Sequence, residues 1–171
     1  MTATPNHATS FVLTSKAFRE GDRLSDAQVY NGFGLSGANI SPELAWTGAP
    51  EGTKSFALTC YDPAAPTGSG WWHWVMIDIP AGTTSLQTGA GSIDGKLLPP
   101  GARHIRNDYS TKDFGGAAPP PGDAPHPYIF TLYSLSVDRL DVPDDASAAL
   151  VGFMIHFNTL GKAQLTGTWS R

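Results

Sequence analysis

The chain has 171 residues, 40% of them apolar and only 15% charged, with 19 glycines, 14 prolines and a formal net charge of −4. That length and apolar fraction predict one ordered domain with a sizeable core. The absence of a Lys/Arg cluster argues against a nucleic-acid partner, the single cysteine, Cys60, excludes an internal disulfide, and no stretch reaches the length of a membrane span.

Residues 1–10 read as a loose polar tail without the apolar core of a signal peptide, so the expectation is a cytoplasmic protein with one domain over 11–171. A first strand is predicted at 11–13, followed by turn signals through 18–35 and a short extended piece carrying Leu44 and Trp46. The run 54–61 has Phe56, Leu58 and Cys60 on one face of a strand. In 72–79, strict alternation puts Trp72, Trp74, Met76 and Asp78 on one face and His73, Val75, Ile77 and Ile79 on the other. A long irregular section, 81–125, separates these from a third strong strand at 128–137.

The period then changes. Asp144 and Asp145 suit the cap and first turn of a helix over 146–158. Leu150, Phe153, Met154 and Phe157 recur at spacings of three and four as its apolar stripe, and Gly161 ends it. Ala163, Leu165, Gly167 and Trp169 alternate with polar residues in a final strand. The sum is a mainly β, Greek-key-like sandwich with a C-terminal helix and short peripheral helices.

Several residues could carry chemistry. Asp62 follows a strand and precedes two prolines, a position that also suits a plain turn-former. His73 stands among Trp71, Trp72 and Trp74, a desolvated setting in which its charge depends on a partner; a core histidine bonded to backbone is the alternative. The stretch 115–122 combines glycines, which allow close backbone approach, with prolines, which hold a loop in one shape. Its free N–H groups could form a nest for an anion. His126 and Tyr128 are two apart on a strand and share a face.

His7 and His104 lie in polar stretches expected to be exposed, and His156 lies in the helix, packed or solvated. The segment 89–95 reads as a turn rather than a dinucleotide fingerprint. The sequon Asn39-Ile-Ser41 reads as a loop, and no Gly-x-Ser-x-Gly elbow is present. Asp62, His73 and His126 have the composition of a two-histidine, one-carboxylate metal site, but no metal is expected.

Taken in order, Ser41-Pro-Glu-Leu-Ala-Trp46, Asp62-Pro-Ala-Ala-Pro66, Trp71-Trp-His73-Trp74, Gly116-Ala-Ala-Pro-Pro-Pro-Gly122 and His126-Pro-Tyr128 resemble the phosphatidylethanolamine-binding family, closest to its prokaryotic Raf-kinase-inhibitor-like branch. The likeness runs from Phe11 to Trp169. It implies a β-sandwich with a small pocket for a phosphate-like anion or phospholipid head group. Asp62, His73, His126 and Tyr128 would be its polar groups, Trp71 an aromatic wall, and Pro119 and Pro120 the rim. It implies no cofactor, and it allows a kinase or protease as protein partner. Ala64 and Pro127 stand where the family has an acid and an arginine, which suggests that a supporting ion pair has been replaced by apolar groups.

The expected pocket chemistry is a histidine charged under the influence of Asp62, donating together with the tyrosine hydroxyl to an oxyanion. A non-enzymatic binding or regulatory module is the first reading. An enzyme using the same Asp/His groups for acid–base chemistry is the second, without an activated nucleophile to favour it. The resemblance, together with aromatics abundant for so few charges, also implies a homodimer.

Overall fold

The longest apolar runs of the chain become the central strands of a five-stranded antiparallel sheet. A computed structural model describes residues 10–171. His7 and all of the expected tail except Ser10 lie outside the described residues. Eight strands and one α-helix follow in order: β1 (Val12–Thr14), β2 (Leu44–Thr47), β3 (Ser55–Asp62), β4 (Trp71–Pro80), β5 (Ser85–Leu86), β6 (Arg103–His104), β7 (His126–Leu135), α1 (Ala148–Asn158) and β8 (Thr159–Trp169). One short 3-10 turn, Asp26–Gln28, lies outside this frame. The large sheet runs β6-β4-β3-β7-β8 and a small one β1-β2-β5, with every strand pair antiparallel.

The sandwich core lies between the two sheets. Leu13, Leu44, Trp46 and Leu86 from the small sheet meet Phe56, Leu58, Cys60, Trp74, Met76, Phe130 and Leu132 from the large one. Each such side chain contributes roughly 1.5–3 kcal/mol by leaving water. The other face of the large sheet carries Ala57, Val75 and Ile77, covered by Ala148, Val151 and Ile155 of α1 together with Leu140 and Val142. The central strands are therefore buried on both sides, which is why 54–61 and 72–79 read as nearly continuous apolar runs.

Strict alternation fails in β4. Cys60 pairs with Trp74 but Tyr61 with Trp72, leaving His73 as an extra residue; a second extra residue falls between Met76 and Ile79. Each bulge reverses the alternation. Trp72 thus packs on the helix side with Val75 and Ile77, while Ile79 joins Trp74 and Met76 in the sandwich core. Asp78 sits in the second bulge at φ 59°, accepting from Arg103 Nε at 2.7 Å and from the Leu140 amide at 2.8 Å. Arg103 also donates to Asp144, Leu140 and Val142, fastening that loop to the sheet.

The helix departs from expectation in three ways. Its cap is Ser147, whose hydroxyl accepts from the Leu150 amide at 3.1 Å, because Asp144 is engaged by Arg103. Its buried face is Ala148, Val151 and Ile155, while Leu150, Phe153 and Phe157 point outward, 41%, 59% and 68% exposed, and only Met154 of the expected stripe is partly packed. The segment is apolar on both sides, and the smaller residues let the helix lie close to the sheet. Gly161 does not end the helix; it pairs with Ser134 inside β8, where a Cβ would press on Pro50. His104 is also corrected: it is buried, with Nε2 accepting from Trp74 Nε1 at 3.0 Å, and burial takes its pKa down to about 4.

Candidate ligand-binding site

Strand order brings the distant motifs together. Asp62, the last residue of β3, lies opposite Trp71, the first of β4, and β7 runs beside β3 on its other edge. His126, the first residue of β7, places Nδ1 2.7 Å from Asp62 Oδ2. The β4 bulge at His73 allows its ring to face the same end of the sheet as Trp71. Asp62, Trp71, His73, Pro119, Pro120 and His126 line one cavity of about 190 Å³, with Phe33, Pro66 and Tyr109 among the other walls. Tyr128 is not on the wall. It lies behind His73, ring edge to ring face at 5.1 Å, with its hydroxyl buried beside the Ala118 backbone.

The two histidines are in opposite states. His73 Nδ1 donates to the carbonyls of Gly115 at 2.8 Å and Gly116 at 3.1 Å. Carbonyls only accept, so the proton is on Nδ1 and Nε2 offers a lone pair. Burial takes the His73 pKa down to about 4, against the opposing pull of the Gly115 carbonyl and the Asp62 charge. Both sequence readings of His73 therefore hold: it is backbone-bonded and it faces the cavity. Glycine is required on the loop that reaches it, since a Cβ at Gly115 would collide with the Tyr109 ring and one at Gly116 with Gln28 backbone.

Burial also opposes charge on His126, but Asp62 at Nδ1 and Asp123 at Nε2, the latter at 3.0 Å, outweigh it and hold its pKa above the ordinary value. Both N–H groups of this imidazolium are thereby occupied. The expected pocket histidine, charged and free to donate, is not what the structure holds: the charged ring has no spare donor and the ring with a free nitrogen is neutral. Asp62 Oδ1 accepts from the Ala64 amide at 2.8 Å, so turn-former and pocket carboxylate are one residue with one geometry. The row Asp62–His126–Asp123 carries a formal charge of −1, and among the described residues no Lys or Arg is on the cavity wall.

Sequence reading missed five participants. Tyr109 donates its hydroxyl to Gly116 O at 2.8 Å, stacks on Tyr30 at 4.1 Å and meets Trp71 edge-on at 5.1 Å. It lies in an irregular stretch with no periodic signal. Asn39 accepts from the Gly116 amide at 2.7 Å and donates to Phe114 O, so the sequon side chain is engaged inside the fold. Phe33 forms part of the mouth, held at φ 54° between two glycines. Asp123, three residues before His126, had a spacing that could have been noticed. Arg171 ties the rim together, donating to Pro119 O and Phe33 O.

The model of the family described as phosphatidylethanolamine-binding protein matches residues 14–170. The chain belongs to the phosphatidylethanolamine-binding protein family. Its members include YbhB of Escherichia coli, 50% identical over 92% of this chain and 99% of that protein, and YbcL of the same organism, 49% identical over 93% and 87%. The crystal structure of YbcL, titled a new member of the mammalian family, superposes with a TM-score of 0.92 at 48% identity, covering 94% of this chain and 98% of the other. A Mycobacterium tuberculosis relative bearing a lipoprotein name, LppC, is 33% identical over 80% of this chain and 63% of its own length. Among the described residues, no helix is long and apolar enough to cross a membrane.

Proposed function

We propose that the protein is a binding module that holds the acidic head group of a small ligand, a phosphate-like anion or phospholipid head group, without turning it over. The observation that carries this reading is the convergence of Asp62, His73 and His126 on one aromatic- and proline-walled cavity at the sheet end. Its volume of about 190 Å³ suits a head group. A drug-sized molecule needs about 300–1,000 Å³, so a whole lipid would leave its chains outside. Among the described residues no serine, cysteine or lysine is on the wall, and the Thr67 hydroxyl is given to Gly70 O. Calorimetry with inorganic phosphate, run beside a turnover panel of phosphate esters and peptides, tests the reading. Saturable binding without product is expected, and product release that depends on Asp62 would replace the module with an enzyme.

The reading includes a homodimer through the outer face of α1. Leu150, Phe153 and Phe157 form a stripe at spacings of three and four, exposed Leu160 follows at the start of β8, and residues 146–161 contain no Asp, Glu, Lys or Arg. A two-fold approach of the same stripe meets no like charge. Light scattering should give twice the mass of one chain; a single-chain mass unchanged on concentration rejects the dimer. Regulation of a kinase or protease partner rests on the family resemblance alone.

A further inference from the structure

A second cavity, of about 340 Å³, lies behind the wall of the first. Tyr109 lines the cavity at the sheet end, Tyr30 lines this one, and the two rings stack at 4.1 Å between them. Ser92, Ile93, Thr111 and Asp113 are among its other walls, and among the described residues Asp113 is the one wall residue with a formal charge. Its carboxylate is held from inside the fold: Oδ1 accepts from Asn107 Nδ2 at 3.1 Å and from the Thr111 hydroxyl at 2.5 Å. Oδ2 accepts no hydrogen bond within the described protein. The Ser92 hydroxyl gives its proton to Asp94 Oδ1 at 2.7 Å. A hydroxyl has one proton, so the Thr111 and Ser92 oxygens are left with lone pairs to offer. An apolar shoulder adjoins these acceptors. Ile93 is 71% exposed, and exposed Ile40 and Leu97 come together over Gly89, whose carbonyl accepts from the Ser92 amide.

We propose that this second cavity binds an alkyl-borne cation, a guanidinium or ammonium on a hydrocarbon stem, with its head on Asp113 Oδ2 and its stem on the shoulder of Ile40, Ile93 and Leu97. Both heads carry donors only, which matches a wall whose fixed polar atoms accept. Hydrogen bonds from such a cation to a carboxylate are among the strong ones. Asn107 and Thr111 already orient Asp113, so binding does not have to order it. Aliphatic stems cover apolar surface while the charged head stays at a polar edge, which is the arrangement of this wall and its shoulder. A hard metal ion would need more carboxylates than the one present here. The same head and stem occur on a free alkyl amine and on a lysine or arginine side chain of a polypeptide.

The test is a set of nitrogen–proton correlation spectra of the full chain, titrated at neutral pH with three probes: butylguanidinium, butylurea and a capped glycine-arginine-glycine peptide. Butylurea keeps the shape and the stem without the charge. Saturable shifts at the Ser92, Ile93, Asp113 and Gly115 amides are expected with butylguanidinium. Butylurea should bind more weakly by about tenfold or more, the least that losing a charged hydrogen bond implies. No saturable shift at those amides up to about 20 mM, well above the ~1 mM affinity open to so small a ligand, overturns the site. Equal binding of butylurea overturns the cation. With the site in place, a peptide that binds at least as tightly as butylguanidinium assigns the cation to a polypeptide, and a weaker peptide assigns it to a free amine. Asp113→Asn, its fold checked by the dispersion of the same spectra, should lose about tenfold or more in butylguanidinium affinity. Ala38→Lys puts a cation on the wall from an exposed position, leaves Asn107 and Thr111 untouched, and should lose as much. A folded Asp113→Asn with the parent's affinity overturns the role of Asp113; if that variant does not fold, Ala38→Lys with the parent's affinity overturns the site. Phosphate affinity at the sheet-end cavity should hold in both variants, so failure here leaves the anion reading standing.

Discussion

The pocket mouth and the outer face of α1 both present large aromatic side chains to solvent, and they differ in what lies beneath. Under Phe33, Trp71 and Tyr109 is a polar floor of Asp62, His73 and His126. Phe153 and Phe157 instead pack on each other and on the His156 ring, on a helix whose buried face is the apolar Ala148, Val151 and Ile155. A small ligand needs a few fixed polar groups to orient it, whereas a partner surface gains from area and tolerates the lack of them. The pocket is assembled from positions far apart in the chain, so its existence depends on strand order. The α1 face comes from one short segment and depends only on helical periodicity. Perturbing either should leave the other intact, and that independence can be broken experimentally.

The largest effect is expected at Asp62. Asp62→Ala removes the buried partner of His126 and should abolish phosphate binding while costing about 3–5 kcal/mol in urea denaturation, the usual result of breaking a buried pair. Asp123 remains on the other nitrogen, which places the expectation toward the lower value. The mass of the folded protein in solution should not change. A cost under about 1 kcal/mol would mean that Asp62 and His126 are not coupled as described.

Acid should act on the pocket and core through two histidines. His73 and His104 both have pKa values of about 4 in the fold, against 6.5 ordinarily. The unfolded chain therefore takes up these protons first as pH falls. The stability they contribute is complete above the ordinary value and is lost between there and the folded value, roughly 3 kcal/mol for each ring. His126 has the opposite sign: its raised pKa contributes fully below its ordinary value, and that contribution fades as pH rises through the folded one. Urea unfolding followed from neutral pH to about pH 4 should show the loss. His104→Gln keeps an acceptor for Trp74 and should remove about one proton from the slope without changing phosphate affinity at neutral pH. An unaltered slope would show that His104 is not held neutral.

The pocket was legible in the sequence because its polar residues come in an ordered series of motifs, and position along strands does the rest. Asp62, Trp71, His73, Pro119, Pro120 and His126 meet as the motif order implied, while Tyr128 supports the floor from behind. Protonation was not legible. It depends on the Gly115 and Gly116 carbonyls and on Asp123, which come from irregular backbone without a period. The alternation read along 72–79 failed because bulges are invisible in side-chain pattern; the one at His73 moves Trp72 to the other face, and the one at Asp78, which has positive φ, moves Ile79. The helix stripe failed for a different reason. Residues 148–158 contain two apolar stripes, and periodicity cannot say which one a sheet will cover.

The cap distinguishes the two readings of that helix at a smaller scale. Ser147→Ala should cost about 1 kcal/mol, the ordinary loss on removing an N-cap hydroxyl, and Asp145→Ala should stay within about 0.5 kcal/mol. The reverse order would restore the acidic cap expected from sequence. Neither change touches the cavity, so phosphate affinity is expected to hold in both.

The smallest effect on stability, and the sharpest on assembly, is expected on the outer face of α1. Phe153 and Phe157 pack edge to face at 4.9 Å with most of their surface in solvent. Replacing both with glutamate should leave the folded monomer within about 1 kcal/mol of the parent, since no core contact is lost. In the dimer, the same change puts four carboxylates across a two-fold contact that had no charge, and the mass by light scattering should fall to that of one chain. Phosphate affinity should be unchanged, because the pocket draws nothing from α1. Phe33 provides the control. It is the other large aromatic left open, 65% exposed, but it belongs to the cavity mouth. If the doubly substituted protein keeps the mass of two chains and Phe33→Ser loses it, the copies meet over the pocket mouth instead, and ligand and dimer would compete for one surface.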